Sequence, residues 1–154
     1  MIKANALKPA DTPGYRLTGP TATHLTLDLL EALVTAENVS AYDLPLVFER
    51  DEVKSGGLFN SSVQKCLIIK HKEHLNDYFA YCLTLHMQGK IMTLAVNYFG
   101  ISTLTQKAHQ TEARRGQGLG GLLANAVFGV DEVAYRTEYE YYGMLEKLIE
   151  SAIS

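Results

Sequence analysis

Apolar residues alternate with polar ones through the middle of the chain and recur at helical spacing near its two ends. After the stretch 1–20, an apolar set at Leu25, Leu29, Ala32, Leu33 and Ala36 falls on one face at three- and four-residue steps. It predicts a helix from Thr21 or Thr23 to Glu37, with a threonine as N-cap and Asn38 and Ser40 as stop signals. Leu27, Leu30 and Val34 widen that face, so the helix is expected to be buried on more than one side. Residues 44–50 alternate Leu44, Leu46 and Phe48 against Pro45, Val47 and Glu49, an edge strand by its proline. Lys54-Ser55-Gly56-Gly57 reads as a turn. Residues 63–71 carry Val63, Leu67 and Ile69 on one face and Cys66 and Ile68 on the other, which suits a strand covered on both sides.

The pattern is clearest over residues 78–99. With Gln88-Gly89 as a two-residue turn, Phe79, Tyr81, Leu83 and Leu85 oppose Tyr98, Val96, Leu94 and Met92. Ala80, Cys82, Thr84 and His86 then oppose Asn97, Ala95, Thr93 and Ile91 on the second face. A short strand is expected over residues 101–106, a short helix over 122–128 and a long one over 131–151. The long helix carries a stripe of Tyr135, Tyr139, Tyr142, Leu145, Ile149 and Ala152. Pro9, Pro13, Gly14, Gly19 and Pro20 make residues 1–20 an irregular arm.

These elements predict an α+β fold in a single domain over residues 1–154. Its antiparallel sheet has four to six strands, with one helix before it and a short plus a long helix after it. By element order alone, a small curved sheet closed by a C-terminal helix, like the pleckstrin-homology architecture, is one candidate. The 154 residues suffice for a core without staples, and 47% hydrophobic against 20% charged residues excludes extended disorder. A net charge of −3 argues against nonspecific nucleic-acid binding. Two cysteines inside apolar runs read as buried reduced thiols, which favours the cytoplasm. No signal peptide is visible, and the longest apolar run, residues 119–130, is too short for a membrane span.

Five of the twelve glycines fall between Gly116 and Gly129. Residues 114–121 form a glycine-rich joint in which Arg114, Arg115, Gly116, Gln117, Gly118 and Gly120 precede a helix. Converging backbone N–H groups there make an anion cradle. Arg115, Gly118 and Gly120 resemble, in order, the pyrophosphate loop of the GNAT-type N-acetyltransferases. That resemblance implies acetyl-CoA as cofactor and acetyl transfer to an amine. It spans about ten residues, the preceding residues 107–112 are polar where that family has an apolar strand, and only one more helix follows.

Other chemistry finds less support. His71 and His74 near Cys66 lack further ligands to complete a tetrahedral metal site. Cys82 and His86 share a strand face but stand roughly 13 Å apart, too far for a nucleophile and its base. Tyr135, Tyr139, Tyr141 and Tyr142 are read as packing, with Tyr141 alone facing outward. The preferred reading is a binding or regulatory module with no catalytic residues, metal or cofactor, engaging a protein or a small anionic ligand but neither nucleic acid nor membrane. A homodimer through the C-terminal helix is open to it.

Overall fold

Cys66, Leu67, Ile68 and Ile69 are consecutive and all buried, a run that a strand can hold only when both its faces are covered. In the computed structural model, which describes residues 1–57, 61–72, 80–100 and 132–154, they sit in the middle of a mixed six-stranded sheet. Its strands are β1 (Ile2–Lys3), β2 (Lys8–Leu17), β3 (Leu46–Ser55), β4 (Ser62–His71), β5 (Ala80–Gln88) and β6 (Ile91–Phe99). Their order across the sheet is β1-β3-β4-β5-β6-β2. All neighbours are antiparallel except β1, which runs parallel to β3. Between β2 and β3 come α1 (Pro20–Thr23) and α2 (Leu27–Glu37), and α3 (Glu132–Ile153) closes the chain. The fold is α+β, and the parallel β1 makes the sheet mixed rather than wholly antiparallel. Two strands precede the first helix, which departs from the expected element order.

The chain falls into two compact units, one of Met1–Gly100 with Leu148–Ser154 and one of Ile101–Lys147. In the first, one sheet face carries Leu67, Ile69, Tyr81, Leu83, Leu94 and Val96, all buried. The opposite face holds a second cluster of Ile2, Val53, Cys66, Ile68, Ala80 and Cys82, against which Ala4, Leu7 and Phe99 pack. Arg50, on the first face, reaches Asp28 and Glu31 of α2, so α2 lies on that side.

The structure corrects several expectations. Residues 1–20 are not an irregular arm: they supply β1, a 3-10 turn at Ala4–Ala6, and β2 at the far edge of the sheet. Pro9 and Pro13 are tolerated because β2 is an edge strand with a register shift between Pro9 and Gly14, where ladder hydrogen bonds are already lost. The hairpin turn is Gly89-Lys90, since Gln88 pairs with Ile91 and Met87 with Met92. Gly89 lies at φ +61° while Lys90 does not enter the left-handed region, the II′ pattern that wants glycine first. The register is therefore two residues from the expected one. A two-residue slip leaves every side chain on the same face, so both face assignments hold from Ala80 to Tyr98, and Phe79 lies outside the described residues.

The helix after β2 is broken rather than continuous from Thr21 or Thr23. Thr26 is the N-cap of α2, its hydroxyl accepting from the Leu29 amide at 3.1 Å. The buried face of α2 is Leu30 and Val34, whereas Leu29, Ala32 and Ala36 are exposed. At its end the chain passes through a π-helical turn at Asn38–Tyr42 and leaves through Asp43 in the left-handed region, φ +51°. Asn38 clamps that exit: its Nδ2 donates to the Leu44 carbonyl at 2.9 Å and its Oδ1 accepts from the Leu44 amide at 2.8 Å. The β3 strand begins after Pro45 and continues through Lys54 and Ser55, which were expected in a turn. In α3, Tyr141 and Tyr142 are both buried, so Tyr141 does not face outward. The expected strand 101–106, joint 114–121 and helix 122–128 lie outside the described residues.

Candidate functional site

The apolar start of β3, Leu46-Val47-Phe48, gives way to four charged residues, Glu49-Arg50-Asp51-Glu52. A strand sends alternate side chains to opposite faces, so Arg50 and Glu52 share the α2 side while Glu49 and Asp51 share the other. Beside this run opens a groove of about 720 Å³, with Leu27 and Asp28 of α2, Arg50, Asp51 and Glu52 of β3, and Lys65 of β4 among its walls. β3 and β4 pair without a register break from Leu46↔His71 to Ser55↔Ser62.

Electrostatics ties the groove to the fold. The Arg50 Nη2 lies 2.8 Å from Asp28 Oδ1 and 2.7 Å from Glu31 Oε2, one nitrogen holding two carboxylates a helical turn apart. Asp28, in the first turn of α2, also meets the positive end of the helix. The hydrogen bond to Asp28 is the main reason the Arg50 guanidinium holds its proton even more tightly than usual. All three groups are substantially exposed, so the bridge adds at most about 1 kcal/mol per pair. Glu52 and Lys65 stand directly opposite each other across β3 and β4.

Asp51 is held below its usual range, first by the Glu52 amide that donates to Oδ1 at 2.7 Å and also by the Met1 ammonium at 3.2 Å. The native carboxyl thus binds its proton less readily than the unfolded chain, whose value is near 3.8. Its contribution to stability is complete above that value and disappears as pH falls through the lower native one. Urea melts of Asp51→Asn against the parent should therefore show a deficit at pH 6 that shrinks steadily below the unfolded value. A deficit that persists unchanged in acid would mean that the carboxylate charge does not stabilise the fold.

Asp51 is also directly opposite Cys66, and Cys66 lies diagonally across β4 and β5 from Cys82. Both thiols are free and wholly buried. Cys82 is pushed well above the ordinary thiol range, first by its hydrogen bond with Cys66 and then by burial. Both side chains pack the second sheet face with Ile68, Val53 and Ala80. The sequence placed each cysteine in an apolar strand; only the pairing of β4 with β5 brings them together. A smaller cavity of about 260 Å³ opens between Arg16 and Leu17 of β2, Leu25 before α2, Leu33 on it, and Ala152 and Ile153 of α3.

Of the residues singled out for the anion cradle, Arg114, Arg115, Gly116, Gln117, Gly118 and Gly120 all lie outside the described residues, as does His74. His71 ends β4 half-buried, and His86 is exposed on the same strand as the buried Cys82. Among the described residues, no group of three histidine, cysteine or carboxylate side chains is placed to hold a metal ion. No described helix is long and apolar enough to cross a membrane. The groove escaped sequence reasoning because its walls come from positions 27–28, 50–52 and 65, which only the fold unites. Its one visible signal is the charged run inside a strand that begins apolar. Comparison with known protein families, with curated proteins and with solved structures finds no match.

Proposed function

We propose that this chain is a binding module whose ligand sits in the groove between the first turn of α2 and the β3–β4 pair. The observation that carries this reading is the groove itself, about 720 Å³ with charges of both signs on a helix and two paired strands. That volume lies within the range of ligand sites, which combine an apolar floor with a few fixed polar groups. Leu27 supplies apolar surface, and Asp28, Arg50, Glu52 and Lys65 supply the polar groups.

Amide chemical-shift mapping with peptides, CoA and nucleotides at millimolar concentration tests it. A ligand should perturb residues 26–28, 50–52 and 65, and Arg50→Ala should weaken it while leaving the exposed site folded. A ligand whose perturbations avoid these residues would contradict the proposal. Acetyl-CoA is expected to leave the melting temperature unchanged. A rise that Arg115→Ala abolishes would favour the acyltransferase reading instead.

A further inference from the structure

The charges around the groove divide into those the fold already engages and those left over. Asp28 is held by Arg50, as is Glu31 one turn further along α2. Asp51 accepts from the Glu52 amide and meets the Met1 ammonium. Glu52 and Lys65 differ. Among the described residues, neither the Glu52 carboxylate nor the Lys65 ammonium enters an ion pair or a hydrogen bond. Arg50 also has capacity to spare. Both of its bonds leave from Nη2, so the Nε–Nη1 edge of the guanidinium is unengaged.

These unspent groups lie together. Glu52 and Lys65 are directly opposite across β3 and β4, and Arg50 stands two residues before Glu52 on the same strand. All three therefore project from the α2 side of the sheet, Glu52 and Lys65 with Cβ atoms about 5 Å apart. Glu52 is half-buried and Lys65 is exposed. A bridge formed between them at the surface is worth little, so it leaves both open to a ligand that matches them better. Leu27 adds apolar surface, and about 720 Å³ leaves room for more than a charged head group.

One carboxylate beside two cations is the complement of a molecule that carries an ammonium and a carboxylate close together. A simple anion would meet the Glu52 carboxylate, and a simple cation would meet Lys65 and Arg50, so each alone fits only part of the site. We infer that the groove binds a free amino acid with an apolar side chain. Its ammonium donates to Glu52, its carboxylate accepts from Lys65 and from the Nε–Nη1 edge of Arg50, and its side chain lies toward Leu27. This rests on the binding-module reading and specifies its ligand. A carboxylate is the planar acceptor that a guanidinium edge meets with two parallel bonds.

The probe is L-phenylalanine, compared with phenethylamine, which lacks the carboxylate, and hydrocinnamate, which lacks the ammonium. Amide shifts and titration calorimetry follow each of them on the full chain at neutral pH. L-Phenylalanine should shift residues 26–28, 50–52 and 65. Each analogue should bind about tenfold more weakly or worse, a loss of at least about 1.4 kcal/mol. Glu52→Gln should weaken phenylalanine by a similar factor while hydrocinnamate binds no worse than before. Lys65→Met should weaken phenylalanine and hydrocinnamate and leave phenethylamine unchanged. A merely structural defect would not produce that crossed pattern, and the comparison of analogues on the parent protein needs no variant to fold. Equal binding of all three probes in the groove would overturn the amino-acid assignment and leave the module standing. So would silence from millimolar phenylalanine while a peptide, CoA or a nucleotide shifts the same residues. If none of these molecules perturbs the groove, the assignment and the module reading fall together.

Discussion

Leu83→Ala should destabilise the protein by about 2–5 kcal/mol, the usual cost of emptying a leucine site in a closed core. Leu83 is wholly buried in β5, directly opposite Leu67 of β4 and Val96 of β6, both equally enclosed. All three belong to the central strands, whose backbones are fixed by pairing on both sides, so the cavity has little freedom to collapse. Thr84→Ala, one residue along, should cost only about 1 kcal/mol, the ordinary scale for a small truncation. Thr84 points to the second face, opposite Ala95, where less volume is removed. Urea melts of the two variants check this. Comparable losses would mean that the large apolar core is not confined to the Leu83 face.

Leu148→Ala should cost a similar amount, about 2–5 kcal/mol, although it lies near the chain's end. Leu148 and Ile149 are buried, and the stretch Leu148–Ser154 belongs to the same compact unit as the sheet. Ala152 and Ile153 share a cavity wall with Leu17 of β2 and Leu33 of α2, which places the last turn of α3 beside both elements. Glu150, exposed between these positions, is the control, and Glu150→Ala should change stability by less than about 0.5 kcal/mol. Removing residues 148–154 should uncover that apolar surface and cause aggregation. A truncated chain as soluble and stable as the parent would contradict the burial of α3's end. The same helix carries Tyr141, whose phenol burial holds above its ordinary range, so it stays neutral across the pH window of such experiments.

The sheet core was largely legible in the sequence. Alternation over residues 80–99 identified both faces of the β5–β6 hairpin, and that assignment survived an error of two residues in register because the strand period is two. The error came from giving Gln88 the place that a II′ turn reserves for glycine. Cys66–Ile69 declared a central strand by being apolar on both faces. Prolines misled at the N-terminus, since an edge strand with a register shift and an irregular arm have the same local composition. The face of α2 was misjudged because Leu29, Ala32 and Ala36 make a helical stripe as regular as Leu30 and Val34. Which stripe is buried depends on the sheet beneath it.

The groove was not legible for a different reason. Arg50 meets Asp28 and Glu31 across about twenty positions of chain, and no local periodicity encodes that meeting. A charged run at the end of an amphipathic strand reads as a solvated surface until its neighbours are known. Once β3 is placed next to the two-residue β1, the same run lies on a strand whose outer side, among the described residues, pairs only at Val53 and Lys54.

The binding-module reading needs the β3 backbone beside the groove to be accessible, and amide exchange of the free protein at neutral pH measures that most directly. Among the amides of Leu46 through Glu52, every second one points away from β4. Of these, the Leu46 amide is bonded to the Leu44 carbonyl and the Glu52 amide to Asp51 Oδ1, so Phe48 and Arg50 should exchange orders of magnitude faster than Cys66–Ile69 and Leu83, which are bonded within the interior of the sheet. The amides between them, bonded to β4, should be protected. Uniform protection along Leu46–Glu52 in the monomeric free protein would show that the edge is already covered, and would contradict the account.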